Sequence, residues 1–118
     1  MRITRTTLCA ALVAFGGALG FAAPAAAQTT LNVVTAGDQN MVDYVNNFLG
    51  PRFEKQNPGV KVRAVGTGPG DAGSQKIYEK LSAQQKAGAA SWDTDVAVVH
   101  QRGAATMVKE NLLASYRN

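Results

Sequence analysis

Three runs of β-forming residues, each followed by a segment of helical character, set the limits on what this chain of 118 residues can fold into. The runs are Leu31-Asn32-Val33-Val34-Thr35, Val60-Lys61-Val62-Arg63-Ala64-Val65 and Val96-Ala97-Val98-Val99. After the first, Met41, Val45, Phe48, Leu49 and Phe53 recur at helical spacing, which predicts one apolar stripe turned to the core. Gly50-Pro51 falls inside that stripe and predicts a kink or short break, because proline disfavours helical geometry in the residue before it. Asn57-Pro58-Gly59 then stops the helix. A second helix is predicted over about 74–87, with Ile77, Tyr78 and Leu81 inward, and a third around 104–111. Residues 112–116 read as the start of another packed segment. The alternation in 60–65 predicts a strand with one buried face. The unbroken apolar run at 96–99 predicts a central strand covered on both faces. The order β-α-β-α-β-α predicts an α/β fold with a parallel sheet and right-handed crossovers.

Residues 1–27 stand apart from this pattern. Arg2 and Arg5 form a basic start, residues 8–23 are an uncharged apolar stretch, and Ala25-Ala26-Ala27 supplies small residues before Gln28. That sequence of parts predicts a cleavable export signal and a periplasmic location. The apolar stretch is 16 residues long and contains Gly16, Gly17 and Gly20, whereas a membrane span needs about 20 strongly apolar residues. Cys9 opens the stretch rather than closing it, so it is not placed for lipid attachment. The two arginines are not adjacent, which argues against a twin-arginine signal.

The predicted domains are therefore 1–27, the signal, and 28–118, which reads as part of a larger doubly wound domain. Two of the 12 basic residues lie in the signal, leaving ten against eight acidic ones and a formal charge of +2. That surplus, spread along the chain, is no nucleic-acid footprint. Beyond the signal there is no cysteine, and the chain has one histidine. A disulfide scaffold, a Cys-based zinc site and a His cluster are thereby excluded, and no metal or cofactor is expected.

In an open parallel sheet, ligands meet the loops at the carboxyl ends of the strands. Here these are 36–40, 66–73 and 100–102, and the candidate ligand-binding residues are Gly37, Asp38, Gln39, Gly68, Gly70, Asp71, His100 and Gln101. Gly68-Pro69-Gly70-Asp71-Ala72-Gly73 spells G-x-G-x-x-G between a strand and a helix. It sits in the second strand–helix turn, however, and the acid expected to close the next strand is replaced by His100, with Asp95 at the strand's start. The bland reading is a turn that exposes backbone N–H groups at a helix N-terminus, able to hold an anion or hydroxyl groups. A Walker loop is ruled out because no lysine precedes Ser74.

Asp38, Gln39, Asn40 and Asp71 are each open to a capping role or a ligand contact. A lone histidine such as His100 suits a loop hydrogen bond more readily than a metal. Trp92 reads as a plug at the domain edge, with sugar stacking as its alternative. G-x-S-x-G is absent and no catalytic residue is assigned.

The chain resembles the start of bacterial extracellular solute-binding proteins of ABC importers. The likeness is carried by the signal, by Leu31-Asn32-Val33-Val34-Thr35-Ala36-Gly37, and above all by Phe53-Glu54-Lys55-Gln56-Asn57-Pro58-Gly59-Val60-Lys61-Val62. Trp92-Asp93-Thr94-Asp95-Val96-Ala97-Val98-Val99 and Leu112-Leu113-Ala114-Ser115-Tyr116 fit the same plan. The resemblance implies a type II periplasmic-binding fold of two lobes. A small solute, a sugar, a polyamine or similar, would be held between them and passed to ABC permease subunits in the membrane. Members are several times longer, so residues 28–118 are expected to supply the opening units of the first lobe, without hinge strands or second lobe. Alone they are expected to bind solute weakly or not at all. A histidine–tyrosine pair typical of iron-binding relatives is missing at Gly37-Asp38-Gln39. Other classes also stand: a small exported enzyme using His100 with Asp93 or Asp95, a nucleotide- or anion-binding α/β domain, and a secreted interaction module.

Overall fold

The computed structural model describes residues 27–115. Residues 1–26 of the expected signal, and Tyr116 of the expected last segment, lie outside them. Strands β1 (Thr29–Thr35), β2 (Val60–Gly66) and β3 (Val96–Val98) form one parallel sheet in the order β2-β1-β3. Thr29 to Thr35 pair with Val60 to Gly66, and Val33 to Thr35 pair with Val96 to Val98. Helix α1 (Gln39–Tyr44) runs through a π turn (Val45–Leu49) into α2 (Gly50–Gln56). Helices α3 (Gly70–Lys86) and α4 (Gln101–Lys109) follow β2 and β3. The chain is therefore an α/β protein with a parallel sheet, as the alternation of runs predicts.

Successive strand residues point to opposite faces, so β1 serves two cores. Val33 packs with Val42, Val45 and Ala64 under α1 and the π turn. Val34 and Ala36 pack with Ile77, Leu81, Met107 and Leu112 under α3 and α4. Met107 has no exposed surface. Tyr78, Ala97 and Val99 border this second core.

The first helical stripe is turned differently from its expected orientation. Val42, Val45 and Gly50 are the buried positions, while Met41, Phe48, Leu49 and Phe53 are exposed together with Tyr44. The helix carries apolar residues on two faces, and the sheet takes the slimmer one, against which Val62 and Ala64 fit. On the outer face Tyr44 stacks on Phe48 at 5.2 Å, and the Arg52 guanidinium lies 4.4 Å from the centre of that ring. Nor does Gly50-Pro51 break the helix. The Gly50 N–H bonds to the Val45 carbonyl in the wider π pattern just before Pro51, and α2 continues from there.

Among the described residues the central strand is β1, and β3 is an edge. Val96 and Val98 are 42% and 37% exposed, because α1 and α2 cover β1 and β2 and leave the corresponding face of β3 bare. Helices α3 and α4 begin at Gly70 and Gln101, a turn earlier than their apolar spacing indicates.

Candidate functional site

The three loops at the carboxyl ends of the strands converge. Asp38, Pro69 and His100 are the N-cap residues of α1, α3 and α4, and each has extended backbone geometry. All three line one open cleft of about 410 Å³. The rest of its wall comes from Ala36, Gly37, Asn40, Met41, Gly70, Val98 and Val99. None of the three caps makes a side-chain hydrogen bond to its own helix. First-turn N–H groups of a helix lack intrahelical partners, and the aligned peptide dipoles make this end partly positive. The cleft is thus ringed by three helix starts whose caps leave amide hydrogens for other acceptors.

Local sequence explains the geometry of the middle loop. Gly68 and Gly70 take φ of 97° and 68°, the left-handed region open to glycine. Gly73 has no room for a side chain, since a Cβ there would collide with the Gly68 carbonyl oxygen and press on Ala36. The Thr67 hydroxyl lies 2.9 Å from the Gly73 carbonyl oxygen and 3.2 Å from that of Thr35. The Thr67 N–H donates to the same Thr35 carbonyl at 2.9 Å. The glycines of the G-x-G-x-x-G run therefore serve a tight strand-to-helix turn folded against the end of β1.

Of the residues singled out from sequence, Gly37, Asp38, Gly70 and His100 meet in the cleft, whereas Gln39, Gly68, Asp71 and Gln101 are outside its wall. Gln39 donates from Nε2 to Asp43 Oδ1 at 2.9 Å along the surface of its own helix. Gln101 is the first, exposed residue of α4. Asp71 lies in the first turn of α3, 3.5 Å from the Arg102 guanidinium, beside a groove between α3 and α4 that Ser74 and Tyr78 also line.

Asp93 and Asp95 precede β3, while His100 follows it, so the strand separates them. Asp95 Oδ2 accepts the Asn32 N–H at 2.7 Å. Lys80 lies 2.9 Å from Asp93 and holds that carboxyl below its usual range. Trp92 is half-exposed and borders a separate hollow of about 440 Å³ with Leu81 and Leu112.

Two structural positions beside these loops escape sequence reasoning. Ser74 is buried in the first turn of α3, and its Oγ accepts the His100 N–H at 3.0 Å, fixing where α4 starts. Thr35 has no exposed surface, and among the described residues its hydroxyl has no hydrogen-bond partner. A serine at a helix start reads as an ordinary polar residue, and a threonine in a β-rich run reads as strand, so neither gives a signal. Comparison with models of protein families, with curated proteins and with solved structures finds no match to this chain.

Proposed function

We propose that this chain is the opening part of the first lobe of a solute-binding component of an ABC importer. It would be exported through residues 1–27 and would capture a small molecule outside the cytoplasmic membrane for a permease. The observation that carries the reading is the convergence of Asp38, Pro69 and His100, three uncapped helix starts on one open cleft. Such a wall suits a ligand with several oxygen acceptors, because each helix start offers backbone donors in a fixed direction. Gly37 and Gly70 let the ligand approach backbone closely. Asp38 adds a carboxylate that a hydroxyl or ammonium group can meet.

The bare face of β3 supports the reading of a partial lobe, since Val96 and Val98 are strand valines that more polypeptide would cover. A cleft with one wall holds solute weakly, because burial of most of the ligand surface needs an opposing wall.

The test is an amide NMR titration of residues 28–118 with separate sugar, polyamine and organic-anion panels at millimolar concentration. Weak, saturable shifts confined to Gly37, Asp38, Gly70 and His100 are expected for one panel. Shifts elsewhere, or none for any panel, would remove the cleft from consideration. Micromolar binding by calorimetry would contradict the half-cleft. Export is tested separately, by fusing residues 1–27 to a reporter active only outside the cytoplasm.

A further inference from the structure

The hollow beside Trp92, about 440 Å³, lies at the amino end of β3, away from the ligand loops. Leu81, Trp92, Ala97, Leu112, Leu113 and Ala114 give it an apolar wall. Leu81 and Leu112 belong to the core, whereas Trp92 and Leu113 are 40% and 37% exposed. Among its lining residues Asp95 alone carries a charge. The Asn32 N–H donates to Asp95 Oδ2 at 2.7 Å, and a carboxylate has a second oxygen to offer.

The chain is steered along this wall as it leaves α4. Asn111 takes a φ of 55°, the Leu112 N–H donates to the Met107 carbonyl at 2.9 Å, and the Asn111 N–H donates to that of Val108 at 3.2 Å. These bonds form a left-handed cap that turns the chain back from the helix axis. Gln85 Nε2 donates to the Glu110 carbonyl at 3.2 Å and ties the cap to α3. Leu112 then enters the core, and Leu113 and Ala114 continue along the hollow. Ser115 is exposed, and Tyr116, Arg117 and Asn118 follow it, outside the described residues. Covalent geometry alone keeps the Tyr116 Cα within about 7 Å of the Ala114 Cα.

The chemistry of this segment matches that of the hollow. Tyr116 has a flat apolar ring with one polar tip, which suits an apolar wall that also holds Thr94 and Asn111. Arg117 brings the charge opposite to that of Asp95. A tether this short gives the ring a local concentration of roughly millimolar or more, against which a free solute or a separate chain must compete.

We propose that this hollow is the seat of residues 116–118, with the Tyr116 ring against Trp92 and Leu113 and the Arg117 guanidinium on Asp95. The segment thereby closes the α3–α4 layer at the amino end of β3. The inference rests on the hollow and on the path of the chain, not on solute capture.

Trp92 is the one tryptophan of the chain, so its fluorescence reports on the hollow directly. In the full chain, Tyr116→Ala should raise the acrylamide quenching constant of Trp92 about twofold, by returning one of its two ring faces to solvent. Tyr116→Phe keeps the ring and should quench like the unaltered chain. Arg117→Glu, which sets like charges together, should raise quenching part of the way.

If Tyr116→Ala loses native circular dichroism, nuclear Overhauser contacts in the unaltered chain decide the matter, and the Tyr116 ring should give them to the Trp92 indole. A natively folded Tyr116→Ala or Arg117→Glu variant with unchanged quenching overturns the proposal, as does the absence of ring-to-ring contacts. So does saturable shielding of Trp92 by an added sugar in the unaltered chain, since the hollow would then stand open to solute.

Discussion

Ser74 Oγ accepts the backbone N–H of His100 at 3.0 Å, so the first turn of α3 sets the position of the cap of α4. Ser74 is 1% exposed, whereas His100 lies at the surface beside the open cleft. Ser74→Ala should destabilise the fold by about 1 kcal/mol, the net worth of one hydrogen bond that water can partly replace. Chemical denaturation measures that loss. The amide resonance of His100 should move more than those of Asp38 and Gly37, because those two belong to a different loop.

Gly73 is a second point of no tolerance. A methyl group there meets the Gly68 carbonyl oxygen, a backbone atom fixed by a tight turn. Gly73→Ala should cost about 1–3 kcal/mol, as overpacking does elsewhere. For a domain of this size that is a fall in melting temperature of roughly 4–8 °C per kcal/mol, readable by calorimetry. An unchanged melting temperature would mean that the loop relaxes freely.

Met107 and Val108 are neighbours on α4 with opposite fates. Met107 is fully buried in the core under α3 and α4, and Val108 is 63% exposed. Met107→Ala should cost about 2–5 kcal/mol through lost contacts and the cavity left behind. Val108→Ala should stay within about 0.5 kcal/mol. Urea titrations of the two variants side by side check the contrast.

Glu54 gives the fold an acid-sensitive contact. The Lys61 ammonium and the Val62 N–H hold its carboxyl below the ordinary value of 4.5. A depressed carboxylate contributes stability that is present above the unfolded value and is lost as pH falls through the folded one. Stability should thus decline below about pH 4.5. Glu54→Gln should flatten that part of the profile, which urea midpoints measured between about pH 3 and pH 6 would reveal. Added salt should shrink the effect, since both groups lie at the surface.

Strand and helix identity was legible because β-rich runs and helical spacing alternate cleanly from Leu31 onward. The inward face of the first helix was not. Met41, Phe48, Leu49 and Phe53 outweigh Val42 and Val45 in apolar bulk, yet the smaller pair fits against Val33 and Ala64. Spacing shows that a face exists, and packing volume decides which face is used. The edge position of β3 was likewise hidden, since an apolar run reads the same whether one or both faces are covered.

The rule that ligand loops follow parallel strands names eight residues, of which the fold brings Gly37, Asp38, Gly70 and His100 together at the cleft. Gln39, Asp71 and Gln101 fall outside its wall because the first turn of a helix rotates successive side chains away from its own start, and Gly68 because it belongs to the turn before α3. Ser74 needed coordinates, since its role depends on the His100 amide, which is distant in sequence.

The π turn at Val45–Leu49 holds one residue more than an α turn would. Deleting Asn47 removes that extra residue, so the segment would rewind as uninterrupted α-helix with everything after it in the same phase. Glu54 would keep the Val62 amide it now accepts from, and Asn46, ahead of the deletion, its hold on Ala64. Rewinding with every residue retained would instead swing the following turn by about 100° and unzip half of the β2 border, so this stretch tolerates a lost codon better than a straightened helix.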